Sequence, residues 1–130
     1  MKKRITSMFL VLLMVLSLMP ATVQASPASS GSGTKDDPYL IATAQDLVDF
    51  RDEVNASTKQ STLCAKLTKD IDLSNLEGDW EPIGKATNTY KDYVAYSGTF
   101  DGGGHTISGL IINNSKQYQA LFGYVKGGEI

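Results

Sequence analysis

Tyr96-Ser-Gly-Thr-Phe-Asp-Gly-Gly-Gly-His-Thr-Ile-Ser-Gly-Leu-Ile-Ile-Asn-Asn114 packs a short apolar strand, a glycine-dense turn and a second apolar strand into fewer than twenty residues. Phe100 ends the first strand, and Asp101-Gly-Gly-Gly104 supplies positions where a positive φ carries no Cβ penalty. Thr106–Ile112 resumes with β-branched residues that suit a pleated surface. No helical period runs through the stretch. The pattern predicts one corner of a β-solenoid, in which the chain is wound in flat coils.

Downstream, Asn113–Tyr118 predicts a turn, Gln119–Val125 a strand, Lys126-Gly-Gly128 another turn, and Glu129-Ile130 the start of a further strand. Ile107 and Ile130 stand 23 residues apart, within the spacing of about 20–50 residues found in stacked repeats. Such repeats bury their faces only by stacking, and they close with an atypical cap. The sequence stops two residues into a strand. A truncated piece of a longer protein is therefore expected, open at its C-terminal end and able to self-associate through that uncapped coil.

Upstream, Leu63, Ala65 and Leu67 alternate with Cys64 and Lys66, and Ile71 and Leu73 alternate with Asp72 and Ser74. Period two predicts strands, so residues 61–130 are expected to form the first coils. Asn75–Asp79 predicts a turn. Trp80, beside Pro82 and Gly84, is expected to plug an end of the core, and Lys85–Tyr93 to form a loop. Before Ser61 the period is different. Thr43-Ala-Gln-Asp46 has the spacing of a capped helix start, and Leu47, Phe50 and Val54 make one apolar stripe. Asp46, Asp49, Asp52 and Glu53 crowd the other positions. These residues predict a helix over about 44–55 within an N-terminal cap of residues 35–60, laid over the open end of the first coil, where a bare edge would invite pairing with other chains. Ser26–Thr34 has the composition of a flexible linker.

At the N-terminus, Met1-Lys-Lys-Arg4 precedes the apolar run Met8–Met19, then Pro20 and the small-residue ending Val23-Gln-Ala25. This is the pattern of a secretory signal peptide over residues 1–25, and the run is shorter than the roughly 17–25 residues a membrane span needs. Taking Lys2, Lys3 and Arg4 from the twelve basic residues leaves nine against fourteen acidic ones, a net charge of −5 where the whole chain has −2. An acidic mature chain argues against a nucleic-acid partner and against adhesion to anionic lipid. The expected location is secreted or cell-surface, with no membrane span after cleavage. Cys64, the single cysteine, cannot form an internal disulfide and is expected to pack as a small hydrophobe.

Few residues carry chemistry. Asp101 and His105, the one histidine, lie four apart in the glycine turn and would suit a general acid–base pair. A structural role explains them as well: Asp101 caps a tight turn built by Gly102, Gly103 and Gly104, and His105 opens the next strand. Asp70 and Asp72 share one strand face, and with Asp101 they are the best candidates for the paired carboxyl groups of a glycosidase. One histidine and one cysteine make a zinc site improbable, and neither a metal nor another cofactor is expected. Tyr90, Tyr93, Tyr96, Tyr118 and Tyr124 suit either sheet packing or a sugar- or protein-binding surface. Asn55-Ala-Ser57 and Asn113-Asn-Ser115 fit the glycosylation pattern.

Three stretches carry a family resemblance: Gly33–Ile41 with Thr43–Leu47, Tyr96–Leu110, and Ala120-Leu-Phe-Gly-Tyr-Val125. Together they resemble the N-terminal part of secreted bacterial surface proteins that carry the GLUG motif on a right-handed parallel β-helix, the last stretch being similar to the motif itself. The resemblance covers about residues 33–130. It implies that fold and a surface location, ahead of modules such as immunoglobulin-like domains, cell-wall or S-layer anchors, or an immunoglobulin-cleaving metallopeptidase. It implies no catalytic residue. The expected function is a non-catalytic exported scaffold or adhesion segment whose partner is a host or envelope protein or a polysaccharide. The alternatives are a fragment of a carbohydrate-active β-helix enzyme, or the leading region of a secreted metallopeptidase whose catalytic module lies elsewhere.

Overall fold

The computed structural model describes residues 30–87 and 91–130. The signal peptide, residues 26–29 of the expected linker, and Tyr90 lie outside the described residues. The described part of the linker is not free: Ser32 N and Thr34 N donate to Asp37 O, Leu40 N donates to Ser30 O, and Cys64 N donates to Gly33 O at 2.7 Å. Residues 30–34 are thus hydrogen-bonded to Asp37, to Leu40 and to the chain before Ala65.

The elements in chain order are β1 (Tyr39–Ile41), α1 (Ala44–Ala56), β2 (Lys59–Ser61), β3 (Ala65–Leu67), β4 (Ile71–Asp72), β5 (Val94–Tyr96), β6 (Phe100–Asp101) and β7 (Ile107–Ser108). Helix α1 starts where its cap predicts. The Thr43 hydroxyl accepts from Asp46 N at 3.1 Å, and the Asp46 carboxylate accepts from Ala42 N and Thr43 N, each at 3.0 Å. Three backbone donors at the helix entrance are thereby satisfied, with a negative charge at the positive end of the helix dipole. Leu47, Phe50 and Val54 are buried as one stripe, and Ser57 N closes the last turn on Val54 O.

The strands pair in parallel in three separate sheets: β1-β3-β6, β2-β5 and β4-β7. Phe50 on α1 joins two of them, because its ring meets Tyr39 of β1 at 6.3 Å, Phe100 of β6 at 5.9 Å and Tyr96 of β5 at 6.1 Å. Ile41, Leu67, Ile71, Ile83 and Tyr96 complete the center of the core. Trp80 is buried in this core with the Arg51 guanidinium 4.9 Å from its ring centroid, a cation–π contact. Gly98 permits the close crossing between β5 and β6, since a Cβ there would collide with the Leu63 carbonyl.

The expected right-handed parallel β-helix is corrected by this arrangement. The strands are two or three residues long, and the sheets are small and separate, with no closed sheet or solenoid among the described residues. No fixed repeat relates them either. Tyr39 faces Ala65, 26 residues on, whereas Ala65 faces Phe100 at a separation of 35 and Ile71 faces Ile107 at 36. The expected apolar strand that ends at Phe100 is broken at Gly98 into β5 and β6, which lie in different sheets. The expected strand Gln119–Val125 is not formed; Phe122 and Val125 make only isolated bridges, to Ile83 and Tyr96.

Candidate functional site

The structure separates the carboxylates that the sequence grouped. Asp101 lies on β6 in the three-stranded sheet, whereas Asp70 and Asp72 lie at the β4–β7 pair. Each is engaged close to its own backbone. Asp101 Oδ1 accepts from Gly103 N at 2.8 Å, and its other oxygen is 3.6 Å from Lys66 Nζ on the neighboring strand. Asp72 Oδ1 accepts from Ser74 N at 2.9 Å, a bond that holds its carboxyl below the usual value. Asp70 Oδ1 accepts from Thr106 N at 3.0 Å. That bond is the main cause of its lowered pKa, with His105 a smaller one.

His105 is paired with Asp70 across the chain, Nδ1 to Oδ1 at 3.3 Å, and not with Asp101. The cause is the turn. Gly103 and Gly104 have φ of 60° and 77°, and His105 N donates back to Gly102 O, so the chain reverses and brings His105 beside the start of β4. None of Asp70, Asp72, Asp101 and His105 lines either of the two cavities described next.

The larger cavity is a cleft of about 650 Å³ between the Asp79–Thr87 segment and the Asn114–Gln119 turn. Asp79 ties the two together: its Oδ1 accepts from Asn113 N at 3.0 Å and its Oδ2 from the Asn114 amide at 2.9 Å. The Asn114 bond is the largest cause of a lowered Asp79 pKa, followed by the Asn113 N–H. Asn114 Oδ1 in turn accepts from Lys116 N at 3.0 Å and shapes the turn. Trp80 forms part of the wall, with its indole N–H donating to Leu121 O at 3.2 Å. On the rim, Lys85 and Glu81 are paired at 3.5 Å. Tyr118 stands at the mouth, 53% exposed, in a left-handed conformation with φ of 60°.

Sequence reasoning spread these residues over a turn ending at Asp79, a core plug at Trp80, a loop from Lys85, a second turn over Asn113–Tyr118 and a strand from Gln119, and so missed the cleft. The one available signal was the density of Asn, Lys, Gln and Tyr over 113–119. A second cavity of about 140 Å³ lies between Gln45, Val48 and Arg51 of α1 and the apolar residues Leu73, Leu76, Leu110 and Ile111.

The remaining candidates lie outside both cavities. Among the tyrosines, Tyr96 is fully buried, and burial pushes its pKa well up. Tyr93 and Tyr124 stack edge to face at 5.8 Å. Cys64 is buried, its sulfur accepting from Thr99 N at 3.4 Å. The two glycosylation patterns differ: Asn55 uses both ends of its amide, on Pro82 O and Gly84 N, while Asn113 is exposed. Among the described residues no helix is long and apolar enough to cross a membrane, and no group of three or more metal-ligating side chains forms.

Two curated proteins are similar to this chain. Halomucin of Haloquadratum walsbyi is 40% identical over 93 residues, which is 66% of this chain and 1% of that protein. A "Putative Gly-rich membrane protein" of Evansella cellulosilytica is 32% identical over 106 residues, or 78% of this chain and 11% of that protein. The chain thus spans only a small fraction of the length of these relatives. No family model matches it, and no solved structure matches it.

Proposed function

We propose that this chain is a non-catalytic segment of an exported cell-envelope protein, serving there as a scaffold or adhesion surface. The observation that carries this reading is its similarity, over 66% and 78% of its length, to stretches of a halomucin and of a Gly-rich membrane protein, both far longer than itself. The N-terminal Lys2-Lys-Arg4 and the apolar run Met8–Met19 supply an export signal. The chemistry supports the same reading. The candidate carboxylates are spent on backbone N–H groups and turn closure, and Asp70 with His105 sits on the surface, outside the cavities where a bond could be held for cleavage. The resemblance to surface proteins bearing the GLUG motif points in the same direction.

The test is fractionation of cells expressing the full chain with a C-terminal epitope tag. The chain is expected in the envelope or the medium, and in the cytosol once residues 1–25 are removed. Retention of the intact chain in the cytosol overturns the proposal. So does release of reducing ends from polysaccharide, or of peptides from casein, by the purified chain.

A further inference from the structure

We propose that the cleft between the Asp79–Thr87 segment and the Asn114–Gln119 turn binds a neutral polysaccharide, with the Tyr118 ring as its platform. This rests on the reading of the chain as a surface segment and names what that surface holds. At about 650 Å³ the cleft falls within the range of ligand sites, roughly 300–1,000 Å³. Its charges balance, Asp79 and Glu81 against Lys85 and Lys116, with Lys85 paired to Glu81. There is no surplus of cations to gather phosphates or a polyuronate.

A sugar ring offers an apolar C–H face and an edge of hydroxyls, so its site needs an exposed aromatic ring beside fixed donors and acceptors. Tyr118 provides the ring, half exposed, with a hydroxyl that has no partner among the described residues. The side-chain amide of Gln117 is likewise unpaired among them and lines the same cleft. Beneath both, the Asp79–Asn114 bond and the longer Asn114–Gln119 contact at 3.4 Å hold the turn in place, so the polar groups need little ordering on binding.

The backbone at Tyr118 adds a separate observation. A bulky L-residue rarely adopts φ of 60°, where glycine would sit without strain. Strain of this kind persists where the surroundings over-determine it, often at ligand sites. Here it falls on a tyrosine that lines the cleft and is half exposed.

The test is native electrophoresis of the full chain through gels containing hydroxyethyl cellulose, glucomannan or dextran, with a polygalacturonate gel and a plain gel alongside. Retardation is expected in at least one neutral gel, with mobility in polygalacturonate unchanged. Tyr118→Ala should weaken retention about tenfold. Tyr118→Gly should lose retention equally while melting at a higher temperature, which separates loss of the ring from damage to the fold. The proposal is overturned by normal mobility in all three neutral gels, by retardation confined to polygalacturonate, or by retention that both variants keep. An exported chain that is not retarded removes only the polysaccharide site. A retarded chain that also releases reducing ends keeps the site and removes the non-catalytic reading.

Discussion

Residues 33–100 and residues 101–130 draw on the same apolar side chains and pack them differently. Every apolar residue of the buried core, from Ile41 to Phe100, belongs to the first region. In the second, Ile107, Ile112, Leu121 and Phe122 pack against that core from outside and stay partly exposed, while Leu110, Ile111 and Val125 face solvent. Backbone pairing follows the same division. The first region makes ladders of two or three residues, whereas beyond β7 the chain is held by the single bridges Ile83–Phe122, Tyr96–Val125 and Thr99–Glu129. Apolar composition alone does not make a core. A side chain must be covered from both sides, and in the first region α1 supplies the second side.

The largest expected effect breaks that cover directly. Phe50 is 1% exposed and meets Tyr39, Tyr96 and Phe100. Phe50→Ala should destabilise by about 3–5 kcal/mol in urea unfolding, the range for emptying a buried phenylalanine site. Phe122 also touches two core rings, Tyr96 at 5.4 Å and Phe100 at 5.2 Å, but from the open side. Phe122→Ala should therefore cost only about 1–2 kcal/mol. Equal losses for the two variants would mean that the regions form one equally packed core.

Next in size is the helix entrance. Thr43→Ala removes the hydroxyl that caps Asp46 N, and should cost about 1 kcal/mol. The loss should appear as a lower urea midpoint with an unchanged slope, because the exposed surface of the unfolded chain is not altered. No comparable cap exists to remove in residues 101–130, where no helix forms.

This entrance is also where sequence and structure agree best, because a cap and an apolar stripe are local signals. Thr43, Asp46, Leu47, Phe50 and Val54 placed α1 to within a residue of its observed end at Ala56. Alternation likewise grouped Ala65, Leu67, Ile71 and Leu73, which are buried, apart from Lys66 and Asp72, which are exposed. It also set Cys64 with Lys66 and Leu63 with Ala65, whereas Cys64 is buried and Leu63 only partly so. What alternation could not report was where a ladder stops. At Gly98 the backbone passes against Leu63, and this close approach divides one expected strand between two sheets. The candidate site was less legible still. Asp101 and His105 are neighbors in sequence, yet the reversal at Gly103 and Gly104 delivers His105 to Asp70. The cleft brings together residues 34 and 35 positions apart, Asp79 with Asn113 and Asn114, and nothing local announces that pairing. Nor does a tyrosine announce a left-handed backbone, which Asn, Asp or Gly would have suggested.

Lys59 offers a smaller test of the same backbone physics inside the first region. It enters β2 with φ of 66°, its ammonium 5.8 Å from the Tyr93 ring centroid. Lys59→Gly relieves the left-handed strain and gives up an exposed cation–π contact, while loosening the unfolded chain. The net expectation is a gain of about 0.5 kcal/mol, read as a higher urea midpoint. A loss instead would show that the Lys59–Tyr93 contact outweighs the strain.

The smallest effect concerns the bonds that tie the two regions together. Asp70 accepts from Thr106 N and Asp79 from Asn113 N, so carboxylates of the first region hold backbone of the second. Both pKa values are lowered in the folded chain, chiefly by the Thr106 N–H for Asp70 and by the Asn114 amide for Asp79. A depressed carboxylate pKa stabilises the fold fully above the unfolded value, about 3.9, and the contribution fades as pH falls through the lower folded value. The tether should therefore be intact at neutral pH and slacken only in acid below about 3.9. Both carboxylates face water, so screening keeps the effect on total stability slight, and the local signal is the better measurement. The amide proton shifts of Thr106 and Asn113, followed by NMR, should titrate with midpoints below about 3.9. The Ala65 and Tyr96 amides, which donate to the backbone carbonyls of Thr99 and Tyr124, should stay still over the same range. Midpoints at or above the unfolded value would show that these bonds do not favor the charged form, and the second region would then be held by its backbone bridges and its half-buried apolar contacts.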